Sequence, residues 1–185
     1  MKTLQDKTAI ITGGSKGIGK SVCLSLSNAG ASVLILDVDK INGQSLVDEI
    51  LSNGNEASFY KMNVANENEW LTFIKFLKEK NISVDILINN AGIWLGKEIH
   101  HVTLDEYHQL ISINLTGVFL GTKYLTPFLN DAGKNFKYGS TIVNLSSVAG
   151  LVGSQLDPLY SMTKGGITTF TLSLIHISEP TRPMN

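Results

Sequence analysis

The chain has 185 residues, 43% of them hydrophobic, with 15 Lys and Arg residues against 16 Asp and Glu residues. That length and apolar content fit one domain with a sizeable core and are too small for two comfortable domains. The net charge of −1 creates no overall field for nucleic acid or an anionic membrane, so small molecules are the expected partners. The longest apolar runs are strand-length and the chain opens without a signal-peptide pattern, which predicts a soluble, cytoplasmic protein without a membrane span.

Short apolar runs alternate with segments of helical periodicity along residues 1–171. The first run, Thr8–Thr12, ends in glycines, and helical spacing begins at Gly17. The further predicted strands are 32–37, 57–62, 84–89 and 141–145, and the further predicted helices are 41–53, 67–80, one that starts at a capping box formed by Thr103 and Glu106, and 111–129. Because the strands are continuously apolar and separated by helices, the pattern predicts a Rossmann-like α/β fold with a doubly wound parallel sheet.

The turn after the first strand reads TGGSKGIG over residues 12–19. A phosphate reaches a backbone closely only where side chains are absent, and a helix N-terminus offers free N–H groups to it. The spacing is a stretched G-x-x-x-G-x-G, and tight turns also need glycine, so the motif alone leaves a structural role open. Its position between strand and helix favours a dinucleotide site. The predicted cofactor contacts here are Gly13, Ser15, Lys16, Gly17, Ile18 and Gly19.

Asp37 ends the second predicted strand, at about the distance from the glycine turn that a ribose-binding carboxylate requires. A carboxylate there accepts hydrogen bonds from ribose hydroxyls and repels a 2′-phosphate by roughly 1–4 kcal/mol. Lys16 is the opposing feature, because its charge could meet a 2′-phosphate, although a solvated loop lysine explains it equally. Asp37 carries more weight because it sits beside the ribose, and the sequence therefore favours NAD over NADP.

Tyr160 and Lys164 lie four residues apart, on one face of a predicted helix. Ser147 ends the fifth predicted strand, thirteen residues before Tyr160. A ketone that accepts hydride develops negative charge on oxygen, which needs a proton donor and a hydrogen-bond donor. A free tyrosine titrates near pH 10, and the Lys164 ammonium would stabilise its phenolate. The three residues therefore predict chemistry between a secondary alcohol and a ketone.

Together these segments resemble the short-chain dehydrogenase/reductase family, in its single-domain branch. The resemblance rests on TGGSKGIG at 12–19, NNAG at 89–92, SINLTG around Asn114, IVNLSSVAG at 142–150 and YSMTK at 160–164. It implies that Tyr160 is the general acid/base, that Ser147 binds the substrate oxygen, and that Lys164 both tunes the tyrosine and holds the nicotinamide ribose. It also implies that the full-length form is a homo-oligomer.

The resemblance implies further roles away from the tyrosine. Asn114 would keep a water in a proton relay. The segment Asn89–Gly92 would support the sheet centre and line the adenosine side, with Asn90, Ala91 and Gly92 as cofactor contacts. Ser146 competes with Ser147, and the family spacing favours Ser147. One position departs from the family pattern, because Asn63–Val64 stands where relatives carry an aspartate before valine. An amide oxygen still accepts a hydrogen bond from the adenine amino group, so adenine recognition is expected to be weaker but not absent.

The remaining polar and apolar features leave alternatives open. His100, His101 and His108 are interpreted as solvated surface, so no metal site is predicted. Trp94, Leu95, Leu151 and Val152 fit either a substrate pocket or the core. Cys23 lies on an apolar helical face and is interpreted as core.

The favoured function is an NAD-dependent oxidoreductase acting on a small-molecule alcohol or ketone. An NADPH-linked 3-oxoacyl-carrier-protein reductase is the enzymatic alternative, because it resembles the chain over the same motifs. A non-catalytic dinucleotide sensor is a third possibility, although such a protein has no need of Tyr160.

Residues 172–185 read LSLIHISEPTRPMN and contain two prolines and no apolar period. All of Leu172–Arg182 agrees with the translation of a common sequencing adapter, whereas a frayed native end is the plainer explanation. The sequence therefore predicts an incomplete dinucleotide-binding domain over 1–171, followed by a non-native tail. A gene fragment of this kind is expected to be inactive by itself, with sheet edge and apolar surface left uncovered.

Overall fold

The structure is a computed structural model, and it describes residues 3–134 and 139–178. Within those ranges five strands alternate with helices. The strands are β1 (Thr8–Thr12), β2 (Ser32–Asp37), β3 (Ala57–Lys61), β4 (Ile86–Asn89) and β5 (Thr141–Asn144). The helices are α1 (Gly17–Asn28), α2 (Lys40–Ser52), α3 (Glu67–Glu79), α4 (Leu104–Ile111), α5 (Gly117–Gly133), α6 (Ala149–Val152) and α7 (Pro158–Ser178).

The strands form one parallel sheet in the order β3-β2-β1-β4-β5. β1 pairs with β2 on one side, where Thr12 lies opposite Leu36, and with β4 on the other, where Ile11 lies opposite Ile88. The chain therefore winds outward from β1 to β3 and then crosses to β4. Such a reversal opens a crevice at the carboxyl ends of the strands, where folds of this kind bind ligands.

Two hydrophobic clusters cover the two faces of the sheet. Ile10 faces a cluster that includes Trp70, Phe73 and Leu125, and its neighbour Ile11 faces a cluster that includes Cys23. Adjacent residues of a strand point to opposite faces, so continuous apolar strands need helices on both sides. The predicted doubly wound α/β fold is confirmed.

Cys23 is fully buried, as its helical position predicts. Burial raises the pKa of its thiol to about 12, so the thiol is a core group and not a nucleophile. None of the helices in 3–134 and 139–178 is long and apolar enough to cross a membrane.

Local patterns placed most elements within one or two residues, and two segments differ from the expectation. The predicted helix 111–129 begins instead as a π-helical turn, Ser112–Thr116, before α5. Helix α7 continues to Ser178 and so passes through Leu172, where sequence periodicity predicts no regular element. Within this part of the helix the Ser173 side-chain hydroxyl donates to the Thr169 carbonyl one turn earlier at 3.0 Å. The proposed boundary at 171 stays a prediction, and Pro180 and Pro183 lie outside the described residues.

Candidate active site

A single cleft at the carboxyl end of the sheet gathers most of the predicted site residues. Its volume is about 490 Å³. The predicted residues that line it are Gly13, Lys16, Ile18, Asp37, Asn63, Val64, Asn90, Ala91, Gly92, Tyr160 and Lys164. Ser15, Gly17, Gly19, Asn114 and Ser147 are not on its wall. The cleft therefore joins the glycine turn at one end to the Tyr160 helix at the other.

The glycine turn is locked against the segment that follows β4. The Asn90 side-chain amide donates to the carbonyl of Thr12 at 3.0 Å and to that of Gly13 at 2.9 Å. Gly13 has a φ of +62°, and a Cβ there would lie 2.8 Å from Ala91 Cα. A Cβ on Gly19 would lie 2.1 Å from the Gly13 carbonyl oxygen. Both positions therefore require glycine for close backbone packing, so their glycines have a structural reason as well as the predicted ligand-binding one.

Asp37 is 9% exposed at the tip of β2, and backbone amides hold its carboxylate. Ser15 N–H donates to Oδ2 at 3.0 Å, and Asp39 N–H donates to Oδ1 at 3.0 Å. Ser15, which does not line the cleft, thus orients the Asp37 carboxylate through its backbone N–H. Each carboxylate oxygen keeps a further acceptor site, so the side chain can still accept bonds from a ligand in the cleft.

Two more charged residues, Lys16 and Asp39, line the cleft beside Asp37. Asp39 caps α2, and hydrogen bonds from Asn42 hold the pKa of its carboxyl below the ordinary value, with the nearby Lys16 charge lowering it further. The Lys16 side chain is exposed. This end of the cleft therefore presents two carboxylates and one exposed lysine side chain, so its local net charge is negative.

Asn63 and Val64 form the wall of the cleft beyond β3. The Asn63 amide oxygen accepts the Ala65 N–H at 3.0 Å, and the Val64 carbonyl accepts the Trp70 indole N–H at 2.9 Å. Since one acceptor site of the Asn63 oxygen is already used, its predicted contact with adenine depends on the second one. That contact stays a prediction.

Tyr160 and Lys164 lie on the first turns of α7, at the opposite end of the cleft. Lys164 Nζ is 5.6 Å from the centroid of the Tyr160 ring and donates to the Leu145 carbonyl at 2.6 Å. Lys164 is only 5% exposed, and this burial lowers the pKa of its ammonium group. The Tyr160 hydroxyl has no hydrogen-bond partner among the residues that the structure describes, so it is free to meet a ligand.

The two candidate serines differ in what their hydroxyls do. The Ser146 hydroxyl donates to the Lys164 carbonyl at 2.8 Å and lies 2.7 Å from the Thr168 hydroxyl. The Ser147 oxygen only accepts the Ala149 N–H at 3.2 Å, which leaves its proton available. Ser146 lines the cleft but is committed to holding α7, and this difference favours Ser147 as the donor to a substrate.

Asn114 lies at the centre of the π-helical turn and is completely buried. Its side chain accepts the Ile93 N–H at 2.8 Å and donates to the Ile93 carbonyl at 2.9 Å and to the Thr163 hydroxyl at 3.1 Å. The side chain therefore joins the segment after β4 to α7. The sequence could identify the asparagine but not this bulge, and the relay role stays a prediction.

Other candidate side chains fall outside the core. Trp94, Leu151 and Val152 are 64%, 72% and 79% exposed, so the core alternative for these three is wrong, and Trp94 lines the cleft. His100, His101 and Glu98 offer ligand atoms within 4.8 Å of one another, but all three side chains are exposed.

Sequence reasoning missed Asp157, a fully buried carboxylate directly before α7. The signal was present, because Asp followed by Pro is typical of a helix N-cap followed by its first residue. Its contacts with distant backbone could not be read from that local pattern.

A reversal of strand order, a glycine turn at a helix N-terminus and a cleft along the strand ends define a doubly wound α/β protein of the nucleotide-binding type. A model of the family described as short chain dehydrogenase matches residues 7–182. The chain belongs to the short-chain dehydrogenase family, as the sequence motifs predict.

Individual relatives are similar over most of this chain. A cyclopentanol dehydrogenase of a Comamonas species is 34% identical over 92% of the chain and 66% of its own length. A 3-oxoacyl-[acyl-carrier-protein] reductase of a Synechocystis species is 35% identical over 92% of the chain and 68% of its own length. A crystal structure provisionally assigned as a gluconate dehydrogenase from Agrobacterium tumefaciens matches with a TM-score of 0.89 at 29% identity, covering 95% of this chain and 68% of that one. The chain spans 62% to 68% of the length of such curated relatives.

Proposed function

We propose that the protein is an NAD(H)-dependent oxidoreductase that interconverts a secondary alcohol and a ketone in this cleft. One observation carries the proposal: the cleft that begins at Asp37 and the glycine turn ends at Tyr160 and Lys164. A dinucleotide would span these ends, with Asp37 at the ribose hydroxyls, the α1 N-terminus at the phosphates and Lys164 at the nicotinamide ribose. When bound, the nicotinamide would supply the hydride acceptor or donor.

The residues at the Tyr160 end would manage the proton and the oxygen. In the oxidation direction, the Tyr160 oxygen would take the hydroxyl proton of the alcohol. The Ser147 hydroxyl would donate to the same substrate oxygen. Lys164, held by the Leu145 carbonyl, would keep a positive charge near the Tyr160 ring and so favour its ionised form.

The charge around Asp37 supports NAD(H) over NADP(H). Asp37 and Asp39 both line the cleft, against a single lysine, Lys16. Two carboxylates near a ribose would disfavour a 2′-phosphate by roughly 1–4 kcal/mol at partly solvated distances. Lys16 supports the second candidate, an NADPH-dependent 3-oxoacyl-carrier-protein reductase, since its exposed side chain could reach that phosphate and one relative has that name.

Initial rates separate the two candidates. The protein, expressed from its complete reading frame, would be assayed at 340 nm with NAD+ and a series of cyclic and acyclic secondary alcohols, because one relative is a cyclopentanol dehydrogenase. The parallel assay would follow oxidation of NADPH and NADH with a 3-oxoacyl thioester. We expect alcohol-dependent NADH formation and at least about a tenfold preference for NAD+. Faster thioester reduction with NADPH would favour the second candidate, and no turnover in either assay would contradict the enzymatic proposal.

A further inference from the structure

Asp157 is a buried carboxylate at the start of the helix that carries Tyr160 and Lys164. None of its surface is exposed (0%), and it belongs to none of the motifs that identify the family in this chain. A buried carboxylate is strongly destabilising unless its oxygens are hydrogen-bonded. The fold must therefore supply donors to both of its oxygens.

Backbone N–H groups from two separate segments supply them. Oδ1 accepts the Tyr160 N–H at 2.9 Å, which caps the first turn of α7. Oδ2 accepts the N–H groups of Leu95 at 3.0 Å and Gly96 at 2.9 Å. Leu95 and Gly96 lie in the loop after β4, some sixty residues earlier in the chain. One carboxylate thus fastens this loop to the helix N-terminus.

The fastened loop carries Trp94, which lines the cleft together with Tyr160. The Trp94 ring lies against Gly96, where a Cβ would be 3.1 Å from Trp94 Cζ2, and Gly96 has a φ of +64°. The position of the ring therefore depends on where Gly96 is held. Asp157 is the side chain that holds it.

We propose that Asp157 is a positioning residue that sets the spacing between the Trp94 side of the cleft and Tyr160. Loosening this link would let the loop move away from α7, so that an alcohol or ketone is held less tightly beside the proton-transfer group. The kinetic consequence rests on the proposed function, whereas the link between loop and helix does not. Most of the predicted cofactor contacts, those at Asp37 and the glycine turn, lie on segments that Asp157 does not join, and the substrate KM is therefore expected to change more than the KM for NAD+.

Two substitutions separate the cap of α7 from the link to the loop. Asp157→Ser keeps an oxygen that caps the helix, but its single short hydroxyl cannot also serve the two loop amides. Asp157→Asn keeps the shape, and its one amide oxygen can accept bonds on one side only, because the NH2 group would face a backbone N–H. Asp157→Ala removes both functions.

Amide hydrogen exchange on the cofactor-free protein tests the link without any use of activity. In Asp157→Ser we expect the Leu95 and Gly96 amides to exchange at least about tenfold faster, with the Tyr160 amide within about threefold of the unaltered protein. In Asp157→Ala all three amides should exchange faster. Unchanged exchange of Leu95 and Gly96 in both Asp157→Ser and Asp157→Asn would overturn the proposal.

Steady-state kinetics then test what the link does. For Asp157→Ser we expect a substrate KM about tenfold higher, with kcat and the KM for NAD+ each changed less than about threefold. Loss of kcat at an unchanged substrate KM would overturn the positioning role. If exchange responds as expected and the unaltered protein has no turnover, the proposed function fails while the link stands. If turnover is present and exchange does not respond, the link fails alone.

Discussion

The two ends of the cleft are built in different ways. At the glycine-turn end, side chains and backbone are bonded to one another, as Asn90 is to Thr12 and Gly13, and Asp37 is to Ser15 and Asp39. At the Tyr160 end, the tyrosine hydroxyl makes no such bond within the described ranges. In the segment between β5 and α7, the apolar side chains of Val148, Leu151 and Leu156 are 67% to 72% exposed. The first end is arranged before any ligand binds, and the second leaves the hydroxyl protons of Tyr160 and Ser147 free within the described ranges.

This contrast predicts that substitutions at the first end change cofactor binding, whereas substitutions at the second end change turnover. The largest binding effect is expected for Gly19→Ala, because the added Cβ would meet the Gly13 carbonyl oxygen at 2.1 Å. We expect an NADH affinity lower by about a hundredfold or more, since the turn must shift by more than an ordinary packing adjustment. Isothermal titration with NADH measures it.

Gly92→Ala is the matched comparison, since it adds the same methyl group at another predicted cofactor contact, one that lines the cleft. Its nearest neighbour, Asn114 Oδ1, would be 3.4 Å away, which is ordinary contact. A loss of affinity as large as that of Gly19→Ala would mean that any methyl group at a predicted cofactor contact blocks the ligand, and the backbone explanation would be wrong.

The second prediction compares the two serines. Ser147→Ala should lower kcat by about tenfold to a hundredfold, because a hydrogen bond to the developing charge on the substrate oxygen is lost. Ser146→Ala should instead lower the free energy of unfolding by about 1 kcal/mol, because its bond to the Lys164 carbonyl is lost. Its change in kcat should be smaller. Paired kinetics and thermal unfolding distinguish them, and the reverse assignment would follow from a larger kcat loss in Ser146→Ala.

The third prediction concerns cofactor choice at the pre-arranged end. Asp37→Ala should narrow or reverse the preference for NAD+ over NADP+ by about tenfold, because the carboxylate that repels a 2′-phosphate is gone. The measurement is the ratio of kcat/KM for the two cofactors. If the unaltered protein already prefers NADP+, Lys16 rather than Asp37 determines the choice.

The smallest effect is expected at Cys23, away from both ends. With a pKa of about 12, the thiolate fraction at pH 8 is about a thousandfold below that of an ordinary thiol of pKa 9. A disulfide reagent should therefore leave the folded protein unmodified and its NADH affinity unchanged, and should react rapidly once denaturant is added. Fast labelling of the folded protein at pH 8 would show that this helix opens readily.

Much of this arrangement could be predicted from local sequence. The strands follow from apolar runs, and the α4 capping box from Thr103 and Glu106, whose side chains bond to each other's backbone N–H groups. Motifs of short, fixed spacing predict the glycine turn and the pair of Tyr160 and Lys164, and Asp37 is predicted from its place at the end of the second strand.

The rest depends on contacts between distant segments. The π-helical turn around Asn114 is stabilised by Ile93 and Thr163, and Asp157 by Leu95 and Gly96. The Ser146 hydroxyl is engaged by the carbonyl of Lys164 in α7, 18 residues later, whereas the Ser147 hydroxyl is not. Hydropathy and residue spacing do not predict such partners.

Tyr160→Phe separates cofactor binding from proton transfer, which we assign to opposite ends of one cleft. Single-turnover oxidation of a saturating alcohol would be followed by NADH absorbance in the unaltered protein and in Tyr160→Phe. The Kd for NADH would be measured for both. In Tyr160→Phe we expect an NADH Kd within about twofold of the unaltered protein and a hydride-transfer rate at least about a hundredfold lower, as for the loss of a general acid/base. A near-normal hydride-transfer rate, or a Kd for NADH that rises by the same factor as the rate falls, would contradict this assignment.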